Sequence, residues 1–127
     1  DSGSSNAYLP HNYNKSCVVY TGTHDNDTIM GWLETAGDNT LEFAKKYLNS
    51  KDDDLRKPLI ISAMSSVADT CILTMQDLIG LGNDARMNTP STLGGNWSWR
   101  AKPDYITEKI KATLSDLTKT YSRERQS

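Results

Sequence analysis

The sequence is poor in the residues that build metal centres. It holds two histidines, His11 and His24, and two cysteines, Cys17 and Cys71. No cluster of His, Cys and acidic residues stands at ligand spacing, so no metal is expected; His24 with Asp25 and Asp27 is the one local alternative. Both cysteines sit in apolar, strand-like runs and read as buried thiols of a reducing compartment, the cytoplasm, rather than as a disulfide. Neither sign of charge dominates: 14 Lys and Arg face 16 Asp and Glu, a net charge of -2. That balance excludes a nucleic-acid-binding or basic membrane-binding surface as the organising feature. No apolar run approaches the roughly 20 residues that span a bilayer. No signal peptide, internal repeat or low-complexity segment is expected.

What is present suits one domain's worth of core, in 127 residues. Cys17-Val18-Val19-Tyr20 is a β-branched and aromatic run that fits a buried strand. A helix starting near 26–28 carries Ile29, Met30, Trp32 and Leu33 as far as Gly37. A second follows the caps Asp38-Asn39-Thr40, with Leu41, Ala44 and Leu48 at helical spacing. After a charged break at 51–54, a third begins near Pro58 and places Ile60, Met64 and Val67 on one face, with Met64 as core filler. Residues 71–75 read as a second buried parallel strand, 78–81 as a helical turn stopped by Gly82, and 83–102 as a long loop. The last helix is predicted over 105–123, striped by Ile106, Ile110, Leu114, Leu117 and Tyr121, before a frayed polar tail. The fold class is therefore α/β: two parallel strands with crossover helices, which cannot close a sheet by themselves.

The chemistry concentrates in Thr21-Gly22-Thr23-His24-Asp25-Asn26-Asp27-Thr28, a polar cluster at the end of the first strand. A fixed carboxylate there could stabilise positive charge that develops on a bound group. From spacing alone, capping of the following helix is the favoured reading of Asp25 and Asp27. His24 could be a structural histidine. Asn88 carries a donor and an acceptor that suit hydroxyl groups, or it could bond its own loop. Trp97 and Trp99 could stack on sugars; pinning the long loop and the last helix is the better reading. Trp32 reads as core.

Four ordered segments carry a resemblance. They are Leu9-Pro10-His11-Asn12-Tyr13; Tyr20 to Thr28 with Gly31-Trp32; Gln76-Asp77-Leu78 through Ala85-Arg86-Met87-Asn88; and Gly95-Asn96-Trp97-Ser98-Trp99-Arg100. Together they resemble the amylomaltases, the bacterial 4-α-glucanotransferases. The resemblance implies a (β/α)8 TIM barrel, of which residues 1–127 are the C-terminal part, its last two strand–helix units, and not a complete domain. It also implies transfer of α-1,4-glucan segments between maltodextrins, or to a glucose acceptor, by a retaining mechanism. Asp25 is then the transition-state-stabilising acid and His24 the donor of a hydrogen bond to a sugar hydroxyl. Asn88 lies near substrate, and Arg86 positions its loop through a carboxylate or carbonyls. His11 and Asp1 border acceptor-side subsites. The attacking and proton-transferring acids lie before Asp1, so the chain alone is expected to be inactive. No cofactor, nucleic acid or membrane is implied; the partners are α-1,4-glucans and the remainder of the barrel. The alternative is a noncatalytic carbohydrate-binding or fragment-complementing remnant. Two departures from the family pattern stand out: Ser91 where Gly is common after Thr89-Pro90, and Met75 where Pro is frequent.

Overall fold

The computed structural model describes residues 3–125, so Asp1 lies outside the described residues. Two short strands, β1 (Val18–Tyr20) and β2 (Thr70–Ile72), pair in parallel with Val18 opposite Thr70, Val19 opposite Cys71 and Tyr20 opposite Ile72. Parallel pairing demands a crossover. Here it consists of three helices, α1 (Ile29–Thr35), α2 (Asp38–Leu48) and α3 (Arg56–Ser65). After β2 come α4 (Met75–Ile79), a 3-10 turn at Asn83–Ala85, the long loop, a second such turn at Pro103–Tyr105 and α5 (Glu108–Thr120). The α/β reading holds.

Side chains alternate across a strand, and only one face of this sheet is covered. Val19 is buried against Ala63 and Ala68, with Tyr13, Cys17, Cys71 and Leu73 around them. Val18, Tyr20 and Ile72 are each half exposed on the other face. A second cluster, Ile29, Ile60, Met64 and Leu117, joins α1, α3 and α5, with Leu33, Leu59 and Tyr121 at its margin. Met64 is the core filler its sequence position suggests. Leu55, just ahead of α3, is fully buried. Cys17 and Cys71 are free and only partly buried.

Several boundaries move, each for a local reason. The second strand stops at Ile72 because the Thr74 hydroxyl accepts from the Asp77 amide and so caps a helix over Met75–Ile79. That helix ends at Gly80, whose φ of 84° is left-handed; Gly82 is not the stop. In α2 the cap is Gly37, and Asp38 lies inside the first turn, where the helix dipole favours a carboxylate. The last helix starts late, because the Thr107 hydroxyl accepts from the Ile110 amide. This leaves Ile106 exposed and off the stripe. Arg123, the first residue of the predicted tail, is tied down, while Gln126 and Ser127 lie outside the described residues. Arg123 donates to the Met64 carbonyl at 2.7 Å and the Ser66 carbonyl at 3.0 Å, satisfying the end of α3. Among the described residues, no helix is long and apolar enough to cross a membrane.

Candidate active site

The end of β1 feeds a turn held by one side chain. Asn26 Oδ1 accepts from the Thr23 amide at 2.7 Å and the Thr23 hydroxyl at 2.9 Å, leaving His24 and Asp25 at the tip. The start of α1 then draws on three residues. The Thr28 hydroxyl accepts from the Gly31 amide. Asp27 Oδ1 accepts from the Thr28 amide, and its Oδ2 from Asn83 Nδ2 at 3.0 Å. Asp77, only 2% exposed, accepts the Ile29 amide at 2.8 Å from 48 positions away. A carboxylate set against freed amides at a helix start is the favourable arrangement. Helix capping is thus carried out by Thr28, Asp27 and Asp77, and Asp25 takes no part in it.

Asp25 meets the second loop instead. Asn88 Nδ2 donates to Asp25 Oδ1 at 2.7 Å, and His24 Nε2 lies 3.3 Å from the same oxygen. The Asp25 and His24 side chains are about half exposed, at 48% and 56%. Among the described residues nothing bonds Asp25 Oδ2. The loop that brings Asn88 is fastened twice over: the Asn88 amide donates to the His24 carbonyl at 3.0 Å, and Arg86 spans both loops. Arg86 Nη2 donates to the Asp25 carbonyl at 2.6 Å and Nε to the Asn88 carbonyl at 3.0 Å. Its part is to hold backbone, as its sequence context suggests. A cleft below the turn is lined by Gly22, His24, Asp27, Gln76, Asp77 and Arg86, among others, and Asp25 is not in that lining. Among the described residues no three His, Cys, Asp or Glu side chains gather in a way that could hold a metal.

His24, Asp25 and Asn88 are therefore brought together; His11 is not. Its Nδ1 pairs with the Tyr47 hydroxyl at 2.7 Å and its Nε2 with the Ser4 carbonyl at 2.8 Å. It lines a different cleft, with Tyr47, Ser62 and Ser66, where it pins the first loop to α2. The two long-loop tryptophans also divide. Trp99 stacks on Tyr105, at 6.5 Å between ring centroids and 12° between planes, and so pins the loop ahead of α5. Trp97 does not; its ring packs 5.0 Å from that of His24. Asp77 is thus a contributor that sequence reading gave no role, and Trp97 one that it assigned instead to pinning the loop and the last helix. Asp77 had no local signature, because its partner amide is far away in the chain. For Trp97 the available hint was the Gly94-Gly95 pair just before it.

A family model described as 4-alpha-glucanotransferase matches residues 1–107. The chain belongs to that family. Among 4-alpha-glucanotransferases, the Clostridium butyricum protein is 49% identical over 122 residues, covering 94% of this chain and 25% of the relative. The chloroplastic/amyloplastic protein of Solanum tuberosum is 45% identical over 126 residues, 96% of this chain and 22% of the relative. Among solved structures, an amylomaltase from Streptococcus agalactiae in complex with acarbose superposes with a TM-score of 0.92 at 35% identity, covering 98% of this chain and 26% of that one. The chain thus spans about a quarter of the length of these 4-α-glucanotransferases.

Proposed function

We propose that this chain is the C-terminal part of the (β/α)8 catalytic barrel of a cytoplasmic 4-α-glucanotransferase, which moves α-1,4-glucan segments between maltodextrin chains by a retaining mechanism. The observation that carries the reading is the bonding of Asp25. Its carboxylate is held by the Asn88 side-chain amide and, among the described residues, accepts from no backbone amide, while other residues cap the helix beside it. An anion fixed in this way, with a second oxygen unbonded, suits an oxocarbenium-like transition state. One oxygen is anchored, and the other can accept a sugar hydroxyl whose hydrogen bond strengthens as charge develops on the ring. His24, also given a catalytic part here, donates to a neighbouring hydroxyl, and Asn88 assists by keeping the carboxylate aimed.

A retaining mechanism needs a nucleophile and an acid/base carboxyl about 5 Å apart. In this reading both lie on strands earlier than Asp1, so the rest of the barrel is the chain's obligatory partner. The half-exposed Val18, Tyr20 and Ile72 support this, as does the Thr21 hydroxyl, buried at the mouth of β1 without a hydrogen bond among the described residues. His11 and Asp1 remain proposed borders of acceptor subsites. For His11 that role passes through the loop it holds, since both its ring nitrogens are engaged. No metal or organic cofactor enters the scheme.

The test is Asp25→Asn in the full-length protein. Maltotriose disproportionation should fall by about three orders of magnitude with an unchanged melting transition, while the isolated 127-residue chain should show none. Near-normal turnover by Asp25→Asn would remove Asp25 from the mechanism.

A further inference from the structure

We propose that Trp97 is a positioning residue for His24, holding the imidazole so that its Nε2 edge stays on Asp25. The inference deepens the reading above and rests on His24 belonging to the glucan site. The two rings lie 5.0 Å apart between centroids, with 35° between their planes, inside the range of ring–ring packing. Among the described residues the imidazole makes no other polar contact than the one at 3.3 Å to Asp25. A side chain held at a single edge is free to turn about its own bonds unless a wall limits it. The indole is that wall.

The backbone around Trp97 argues the same way. Its φ is 61°, a left-handed conformation that a bulky residue rarely adopts. Gly94 and Gly95 take left-handed angles just before it at no steric cost. A glycine at 97 would relieve the strain if the loop needed only to turn. Among the described residues the indole joins neither apolar cluster. Instead the conformation is locked from three sides. The Trp97 amide donates to the Met87 carbonyl at 2.6 Å, next to Asn88. The Thr89 amide donates to Asn96 Oδ1 at 2.9 Å. Arg100 Nη1 donates to the Trp97 carbonyl at 3.1 Å. Strain that is over-determined by its surroundings, at a residue whose ring lies on a site histidine, marks a device for orientation.

The test uses Trp97→Gly, which keeps the left-handed backbone and removes the ring, and Trp97→Phe, which keeps a flat ring. Both are made in the full-length protein, alone and in a His24→Ala background. Trp97→Gly is expected to lower kcat about tenfold with little change in KM, and Trp97→Phe to recover most of that loss. In the His24→Ala background, Trp97→Gly should cost nothing further, because a residue that acts through another is silent once the other is gone. Impaired His24→Ala combined with losses that multiply, or with Trp97→Gly turnover within twofold of the parent, would overturn this inference alone. An unimpaired His24→Ala enzyme would overturn the site reading and this one with it.

Discussion

A methyl group added at residue 31 would lie 2.4 Å from Asp27 Oδ1 and 2.6 Å from Oδ2. Real Cβ atoms do not approach so closely, and Asp27 cannot step aside without losing the Thr28 amide and Asn83. Alanine is the better helix former by about 1 kcal/mol, so the sign of Gly31→Ala depends on which effect is larger. We expect the clash to win, with a net loss of about 1–2 kcal/mol measured by denaturant unfolding. Against an Asp27→Ala background the same substitution should become neutral or stabilising. At this scale the polar cluster at the end of the first strand was visible without coordinates. Choosing Asp25, His24 and Asn88 within it and beyond it took the family resemblance, and the structure brings the three side chains together. The sequence was silent about Asp77 and misleading about Trp97. Both act across the chain, and which far segment a side chain meets is decided by how the loops pack. Ser91, standing where the family commonly has Gly, takes a left-handed φ of 62°, which accounts for glycine's frequency there.

The start of α1 depends on a carboxylate delivered by a different helix. Asp77→Ala removes the acceptor of the Ile29 amide and leaves a buried donor unpaired, at a cost of about 2 kcal/mol. Asp77→Asn keeps an acceptor oxygen and should lose markedly less. Thermal unfolding of the two variants side by side checks this, and equal losses would show that the charge, not the hydrogen bond, matters. The helices were the most legible elements. Apolar spacing located α2 and α3, and threonine caps explain the late start of α5. The second strand was less legible. Residues 71–75 form one apolar run, and nothing in their hydrophobicity marks the point where Thr74 turns the backbone into α4. Capping is a side-chain event that hydrophobic periodicity cannot register.

For the molecule as a whole, the pairing of two parallel strands across a helical crossover was foreseeable, because apolar strands separated by long helical stretches can hardly pair otherwise. Which face would stay bare was not, since Val18, Tyr20 and Ile72 read as ordinary core residues. The pH response is also a property of the assembled core. Burial pushes the Cys71 thiol above its ordinary value of 9.0, against a smaller lowering by the Arg123 charge. Burial likewise raises the Tyr13 phenol above 10.0, helped by Cys17, Tyr47 and Tyr20. A group whose pKa is higher folded than unfolded binds its proton more tightly in the native state. Its contribution is therefore complete below the unfolded value and is lost as pH rises through the folded one. Stability should hold through neutral pH and decline above about 9, first through Cys71 and then through Tyr13. Melting curves across that range test it, and a Cys71→Ala chain should begin its decline later.

Four of the seven left-handed residues among those described, Ser91, Gly94, Gly95 and Trp97, crowd into the segment that carries the indole to His24. Anyone resurfacing this segment is free to change its chemistry but not its handedness. Mirror-image amino acids at 94 and 95, introduced by chemical ligation, would respect that shape where any ordinary replacement for glycine would fight it.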